Sequence, residues 1–413
     1  MSVARPSRML FVPCTVLAVA CLIGCPPPNN PVTYSQPNGF AQVFNGPVSY
    51  LTAVSSDPGR IDLFYANASG LHHRWLVNDT LVPTDERVGP VAIPEAVALA
   101  PGRLMLAYSS GGESAGNVVF QALDETTGSW GPATTVGVPG HVFNKIVLLS
   151  DYSGTGVAVY ALEPPGPGAR SQGWTVWVDT LVGPTSLSPL SYQGGRMTIA
   201  TGVPPMYWIK GFSPNAASGF AGSPLVYGQE SDGGSYGFSG GGQYQQLRVP
   251  ANQVASNATA YLAISAPFPK MAATQWSGVN GAPSQPFFFQ TDSGSQGYVT
   301  PLGPSGVAPI VLPFPPTDKS GSFALFVLIV GTGGPSTKVE AARVNIDELL
   351  IPGPQPLFTP AYVSLGTGLQ ATAPVVVSSR PGRFDMFVLD TAGNVWRKWY
   401  DAGIGWQPSY MGP

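Results

Sequence analysis

Glycine and proline interrupt the sequence so often that long helices have no room to form. Of 413 residues, 51 are glycine and 44 are proline, and almost no window offers ten residues without either at the helical period. Short apolar runs recur between these breakers, which is typical of strands. One exception, "STKVEAARVNIDELL" (336–350), reads equally well as a strand and a short helical turn. We therefore expect an all-β fold.

Seven apolar runs recur along the chain, each after a turn. They begin at positions 61, 104, 157, 197, 259, 323 and 384. Each has another apolar run shortly before it and a more mixed run after it, so the repeating unit holds three or four short strands. Units of this size predict a seven-bladed β-propeller of four-stranded antiparallel blades over residues 49–413. Two consecutive β-sandwiches are the alternative all-β arrangement.

The first and last units share a sequence motif. "PGRIDLF" and "SGLHHRW" near the start match "PGRFDMF" and "AGNVWRKW" near the end, where "GIGW" follows. A closed ring places its first and last blades side by side, which explains why repeats at the two ends have the same form. These motifs resemble the repeats of seven-bladed lectin propellers of the Photorhabdus lectin type and, more loosely, those of fungal fucose lectins. The resemblance implies sugar sites between adjacent blades.

The middle repeats keep few of these motifs, so the resemblance implies few intact sugar sites. Two functions follow as expectations. One is a non-catalytic, carbohydrate-binding propeller whose partner is a glycan. The alternative is a protein-interaction propeller that has lost sugar binding and contacts a cell-surface protein.

Aromatic and basic residues of the two end repeats are the candidate ligand-binding groups. An indole can stack on the apolar face of a sugar while a nearby basic group donates to hydroxyls, and the residues that fit are His73, Arg74, Trp75, Trp396, Lys398, Trp399 and Trp406. We expect the two ends to form one shared cleft. The alternative is that the tryptophans only pack between blades. Arg60 with Asp62, and Arg383 with Asp385, are two apart in extended chain and are expected to form ion pairs.

Catalytic and metal chemistry find little support in the sequence, so we expect no enzyme activity, cofactor or metal. The only histidines are His72, His73 and His141, and the first two should point to opposite faces of a strand. "DYSGTG" from Asp151 resembles the start of a calcium loop, but Leu162 stands where an acid is needed. No phosphate-binding loop or nucleophile elbow is visible.

The amino terminus reads as a lipoprotein signal peptide over residues 1–24. Arg5 and Arg8 precede an uncharged apolar run that ends in Leu-Ile-Gly-Cys, which resembles a bacterial lipobox with Cys25 as the acylated residue. An ordinary cleaved signal and an uncleaved anchor are the alternatives. Residues 25–48 then form a Pro/Asn-rich tether. The expected location is the bacterial cell envelope, lipid-anchored at the outer membrane or cell surface.

The cysteine positions and the charge balance exclude a disulfide-stabilised body and a nucleic-acid-binding protein. All three cysteines lie within the first 25 residues, so the body has no disulfide and depends on its core. Beyond the signal peptide, 17 basic residues face 22 acidic ones without a basic cluster. Nucleic acid is therefore not an expected partner, and membrane attachment would rest on the acyl chains at Cys25.

Overall fold

The structure is a computed structural model, and it describes part of the chain. Its backbone is described for residues 40–109, 117–137, 145–150, 156–163, 174–182, 191–192, 197–203, 206–212, 225–230, 235–239, 244–247, 271–276, 285–292, 295–301, 307–314, 324–331, 337–345, 363–370, 374–380, 382–401 and 404–407. Side chains are described for 40–109, 118–135, 338–342, 363–370, 374–380, 382–401 and 404–407, and at 146, 148 and 150. All of these residues belong to one compact unit, Pro37–Pro413.

The described strands form seven antiparallel sheets, numbered here along the chain. The first sheet holds β2 (Tyr50–Val54), β3 (Arg60–Asn67), β4 (Gly70–Val77), β5 (Thr80–Leu81) and β6 (Glu86–Gly89). The second holds β7 (Pro94–Ala100), β8 (Arg103–Ser109), β9 (Asn117–Asp124), β10 (Ser129–Trp130) and β11 (Thr134–Gly137). The third holds β12 (Lys145–Ser150), β13 (Gly156–Glu163), β14 (Trp174–Val182), β15 (Ser191–Tyr192) and β16 (Met197–Val203).

The remaining four sheets continue the same order. The fourth holds β17 (Met206–Phe212), β18 (Leu225–Glu230), β19 (Ser235–Ser239) and β20 (Tyr244–Leu247). The fifth holds β21 (Met271–Trp276), β22 (Gln285–Asp292) and β23 (Ser295–Pro301), and the sixth holds β24 (Val307–Phe314), β25 (Ala324–Gly331), β26 (Thr337–Asn345) and β27 (Val363–Leu369). The seventh holds β28 (Val375–Arg380), β29 (Arg383–Leu389), β30 (Val395–Asp401), β31 (Gly405–Gln407) and, from the start of the chain, β1 (Ala41–Phe44).

The core lies between neighbouring sheets. Strand β3 shows why, because its side chains are buried on both faces: Leu63 and Phe64 are each 0 % exposed and point to opposite sides. Leu63 packs with Phe387 of the seventh sheet, whereas Phe64 packs with Leu104 of the second. A sheet covered on both faces favours strands that are apolar throughout, which is the pattern of the runs in the sequence.

The seventh sheet is completed by the start of the chain. Strand β1 pairs antiparallel with β30, with Ala41 opposite Arg397. The incoming segment also passes so close to the β29–β30 hairpin that a Cβ on Gly393 would lie 2.9 Å from the Val48 nitrogen. Strand β2 in turn lies against β28 and β7. The first and last repeats are therefore neighbours, as their shared sequence motif predicts.

Two sequence-based boundaries need correction. The predicted tether, 25–48, includes β1, which is hydrogen-bonded into a sheet, so the folded body begins before position 49. The run at 197 is β16, which pairs with β14 inside the third sheet and does not start a fourth unit. The runs at 61, 104, 157, 323 and 384 supply the second strands of five sheets, and the run at 259 lies outside the described residues.

The described sheets have three to five strands, where four were expected throughout. The ambiguous segment 336–350 contains strand β26, and its last residues lie outside the described part of the chain. Within the described residues, no helix is long and apolar enough to cross a membrane.

Candidate functional site

The first sheet carries an Arg-Asp pair on β3 beside an indole of β4. Arg60 and Asp62 share one face of the sheet, and antiparallel pairing places Trp75 directly opposite Asp62. The Arg60 guanidinium donates from Nε to Asp62 Oδ2 at 2.9 Å and from Nη2 to Oδ1 at 2.7 Å. Its carbon lies 5.3 Å from the centre of the Trp75 ring. The predicted ion pair is confirmed, and the indole lies against it.

His73 belongs to the same cluster and is only 1 % exposed. Its Nε2 lies 2.8 Å from Asp62 Oδ1, and its Nδ1 lies 3.1 Å from Glu86 Oε2. The ring stacks on Phe64 and Trp75, with centroid distances of 4.7 and 4.9 Å. Burial alone would raise the pKa of Asp62, but hydrogen bonds from His73 and the neighbouring guanidinium outweigh it and lower that pKa. His73 is thus fixed in the sheet with both nitrogens engaged.

The second sheet contributes a buried acid to this cluster. Glu125 follows β9, and its backbone carbonyl accepts from Arg60 Nη1 at 3.3 Å. Its carboxyl lies 3.6 Å from Arg60 Nε, with a side chain only 2 % exposed, and neither carboxyl oxygen has a hydrogen-bond partner in good geometry. Burial, and then the charge of Asp62, raise the pKa of Glu125 to about 8. We call this cluster the first–second seam, and at this pKa Glu125 is mostly protonated at pH 7.

The seventh sheet repeats the arrangement on the face that meets the first sheet. Arg383 donates to Asp385 through Nε at 3.2 Å and Nη2 at 3.1 Å, and its guanidinium lies 4.2 Å from the centre of the Trp399 ring. Arg397 also donates to Asp385, with Nε 2.9 Å from Oδ1. Asp385 is fully buried between the two guanidiniums.

An acid from the first sheet closes this second cluster. Asp79 lies in the hairpin between β4 and β5 and accepts from Arg383 Nη1 at 3.0 Å, and from Nη2 of both Arg383 and Arg397. Its side chain is 47 % exposed, whereas each guanidinium side chain is 5 % exposed. Burial opposes ionisation, but the two arginine hydrogen bonds prevail and lower the pKa of Asp79. We call this cluster the seventh–first seam.

Strand register shows that the two seams are equivalent. In the first sheet Phe64 lies opposite His73, and in the seventh Phe387 lies opposite Arg397. The sequence "HHRW" (72–75) therefore corresponds to "WRKW" (396–399), and an imidazole stands where the other seam has a second guanidinium. In the second sheet Met105 occupies the position of the aspartate, which fits the expected loss of motifs in later repeats.

Three predicted ligand-binding residues of the seventh sheet lie on its other face. Trp396 and Lys398 are 5 % and 8 % exposed. The Trp396 Nε1 donates to Asp390 at 2.9 Å, and Lys398 Nζ donates to the Leu365 carbonyl of the sixth sheet at 3.0 Å. Trp406 packs edge-on against rings of that same face. The expectation that these three form one cleft with the first repeat is wrong, because alternation along β30 turns them towards the sixth sheet.

The predicted set of the first repeat is also divided between faces. Trp75 is partly buried on the face towards the second sheet, together with His73. Arg74 faces the seventh sheet, where its guanidinium lies 5.2 Å from the centre of the Phe44 ring. Of the seven candidates, Trp75 and Trp399 thus occupy matching, partly exposed positions beside an arginine.

Other residues of the two seams were not among the candidates. Arg60 and Arg383 were expected only as ion-pair partners, and their contact with the indoles follows from register. Asp79 and Glu125 were not expected at all, since each reaches a neighbouring sheet from a turn. Asp79 sits in "VNDT", a hairpin pattern visible in the sequence, but its arginine partners are more than 300 residues away along the chain.

The first two histidines diverge, as predicted. His72 faces the seventh sheet and contacts Asp85, with Nδ1 3.1 Å from Oδ1, while His73 faces the second. Among the described residues, no group of three or more His, Cys, Asp or Glu side chains is arranged to hold a metal ion. Asp151 and His141 lie outside the described residues.

No protein-family model and no curated protein sequence matches the chain, but solved structures are similar to it. The BP39L lectin from Burkholderia pseudomallei has 14 % identity and a TM-score of 0.56 over 88 % of this chain and 100 % of that chain. The fungal lectin of Aleuria aurantia, a six-bladed β-propeller that recognises fucose, has 10 % identity and a TM-score of 0.44 over 90 % and 100 %. An α-L-arabinanase from Penicillium chrysogenum has 10 % identity and 0.44 over 89 % and 99 %. The chain is an all-β propeller.

Proposed function

We propose that this propeller binds carbohydrate, without catalysis, at the seams between its first, second and seventh sheets. The observation that carries the proposal is the repetition of one arrangement: an arginine over a partly exposed indole, beside a buried aspartate, at matching positions of two neighbouring seams. That the BP39L lectin shares the fold supports it. An indole offers a flat apolar face to a sugar ring, and the adjacent guanidinium offers donors to hydroxyls.

The acids of the two seams complete the chemistry that a sugar needs. Asp79 is half exposed and presents acceptor oxygens beside Arg383, which in turn lies against Trp399. The buried aspartates hold each arginine in place and leave the half-exposed groups to meet a ligand. One stacking surface with two or three polar contacts predicts affinities in the millimolar to high micromolar range, as estimated for an aromatic contact worth about 1 kcal/mol beyond its area burial.

A glycan array probed with the full-length protein tests this function. We expect binding to weaken in Trp75→Ala and Trp399→Ala and to be lost in the double variant, because each change removes one stacking surface. The double variant Trp396→Ala/Trp406→Ala serves as the matched control from the opposite face of the seventh sheet. Loss of binding in that control alone would place the site at Trp396 and Trp406, as first predicted from the sequence.

The absence of any glycan signal from the parent protein would contradict the proposal. Unchanged binding in Trp75→Ala/Trp399→Ala would show that the site lies elsewhere on the ring. Each variant is first checked for a cooperative thermal transition, since partly buried indoles also contribute to packing.

The proposal extends to the location of the protein in the cell envelope, anchored by acyl chains on Cys25. It is supported by the charge pattern of residues 1–24 and by the lipobox-like ending at Cys25. Cys25→Ala is expected to release the protein from the membrane pellet and to abolish fatty-acid labelling. Labelling that persists in this variant would rule the anchor out.

A further inference from the structure

Two guanidiniums at the seventh–first seam share a carboxylate that does not belong to their own sheet. Arg383 and Arg397 already neutralise one acid, Asp385, which is fully buried beneath them. The second acid, Asp79, arrives from the first sheet and accepts hydrogen bonds from both arginines. Without Asp79, the two arginines and Asp385 would leave one positive charge uncompensated.

Asp79 is held less firmly than Asp385. It lies at the second position of a two-residue hairpin, with φ of +71°, following Asn78 with φ of +47°. Positive φ at both positions is the geometry in which glycine is preferred at the second one, so an aspartate there is conformationally disfavoured. Its side chain is also 47 % exposed. The carboxylate is therefore an accessible occupant on a strained turn.

Asp79 is also what covers the guanidiniums. The arginine side chains are 5 % exposed, while the acid that lies on them is half in solvent. Movement or removal of this side chain opens a space of about the size of a carboxylate, lined by two fork-shaped donors that match carboxylate geometry. Trp399 lies at its side, within contact of Arg383.

We propose that this space is a binding site for the carboxylate of an acidic sugar, such as a uronic acid, and that Asp79 occupies it as an internal competitor. The inference rests on the proposed function for the sugar part, since the indole of Trp399 is what would contact the ring. The first–second seam lacks the site, because His73 replaces the second guanidinium there and is itself enclosed between two acids.

Titration of the full-length protein with glucuronate, glucose and acetate tests the site. Asp79→Gly removes the competitor and relaxes the turn, so glucuronate affinity should rise at least about tenfold, the gain expected when an occupant present nine-tenths of the time is removed. Glucose affinity should not rise, because glucose has no carboxylate to take the place of Asp79 and loses Asp79 as an acceptor. Acetate should gain affinity but bind more weakly than glucuronate. The gain should shrink with added salt.

The matched control is Asp79→Gly/Arg397→His, which gives this seam the imidazole of the other one. It should lose the gain in glucuronate affinity. Should the glycine variant fail to show a cooperative thermal transition, Asp79→Ala answers the same question, because it also removes the side chain that fills the space. Unchanged glucuronate affinity in the folded variant, or an equal gain in the arginine-to-histidine control, overturns the proposal.

Two outcomes separate this site from the proposed function. Acetate bound as tightly as glucuronate would overturn the sugar part and leave a simple carboxylate site. Binding of neutral glycans on the array, together with no gain in glucuronate affinity in Asp79→Gly, would uphold carbohydrate binding and reject only the acidic site.

Discussion

The two seams use the same positions on their strands but balance charge differently. At the seventh–first seam, two guanidiniums face two carboxyl groups, those of Asp385 and Asp79. At the first–second seam, Arg60 is the one guanidinium among the described residues, and three acids lie there, Asp62, Glu86 and Glu125. Glu125 is buried without a hydrogen-bond partner in good geometry. Burial raises the pKa of Glu125 to about 8, so this seam holds an acid that keeps its proton near neutral pH.

The comparison shows that histidine in place of arginine at one position of the repeat changes which acid of the neighbouring sheet can be paired. His73 stands at the position that corresponds to Arg397. Its imidazole donates to Asp62 but, among the described residues, reaches no acid of the second sheet. Glu125, the acid that reaches the seam from the second sheet, is therefore left with Arg60 there, and Arg60 is already paired with Asp62. The two seams should respond to mutation and to pH in opposite ways.

The largest expected effect is at Asp385. Asp385→Ala removes the acid shared by two guanidiniums that are each 5 % exposed, and breaking a buried ion pair from one side costs about 3–5 kcal/mol. Asp62→Ala should cost less, since it leaves a single guanidinium without its acid and Arg60 is 17 % exposed. Urea unfolding of the two variants measures both losses. Equal losses would contradict the charge difference between the seams.

Glu125 should make stability fall as pH rises through the neutral range. Its pKa is raised from 4.5 to about 8 in the folded protein, so between these values the unfolded chain releases a proton that the folded chain retains. Each pH unit in this window then costs up to about 1.4 kcal/mol of unfolding free energy. Below pH 4.5 the carboxyl is protonated in both states and the cost disappears.

Glu125→Gln should remove this dependence, because the amide cannot ionise. Urea unfolding at pH 5, 6.5 and 8 compares the variant with the parent, and the variant should be more stable by a growing margin that reaches about 4 kcal/mol at pH 8. Parallel pH profiles for the two proteins would show that Glu125 is ionised in the folded state and that the first–second seam is balanced like its neighbour.

Much of this fold could be predicted from local pattern. Breakers and apolar runs predict strands such as β3 and β29, and spacing of two along a strand predicts that Arg60 and Asp62, or Arg383 and Asp385, face the same way. Strand β1 escaped prediction because "AQVF" is a four-residue segment in a stretch rich in proline and asparagine, and only pairing with β30 makes it a strand.

The site was harder to predict because alternation does not say which neighbour each face meets. The sequence separates Trp396 from Trp399 correctly, but only the packed sheets show that Trp396 faces the sixth sheet and Trp399 the first. Asp79 and Glu125 reach their arginines from turns of another sheet, and neither contact leaves a local signal. Contacts across a seam depend on the tertiary structure.

The smallest expected effect is the contribution of Asp79 to the stability of the seventh–first seam. Its pKa is lowered by the two arginines, so its stabilisation is present above the unfolded-state value near 4 and is lost as pH falls through the lower folded value. Because the side chain is 47 % exposed, solvent limits this contribution to about 1 kcal/mol or less. Asp79→Asn should therefore lower the urea midpoint slightly at pH 7 and by less as the pH falls below 4. Asp124→Asn is the control, since the Asp124 carboxylate accepts from nearby threonines and the arginine whose charge acts on it, Arg103, belongs to its own sheet. Salt should narrow the gap between Asp79→Asn and the parent and change the Asp124 comparison less. An Asp79 effect as large as that of Asp385 would mean that the first sheet's acid is a structural part of ring closure, which would contradict its role as a displaceable occupant.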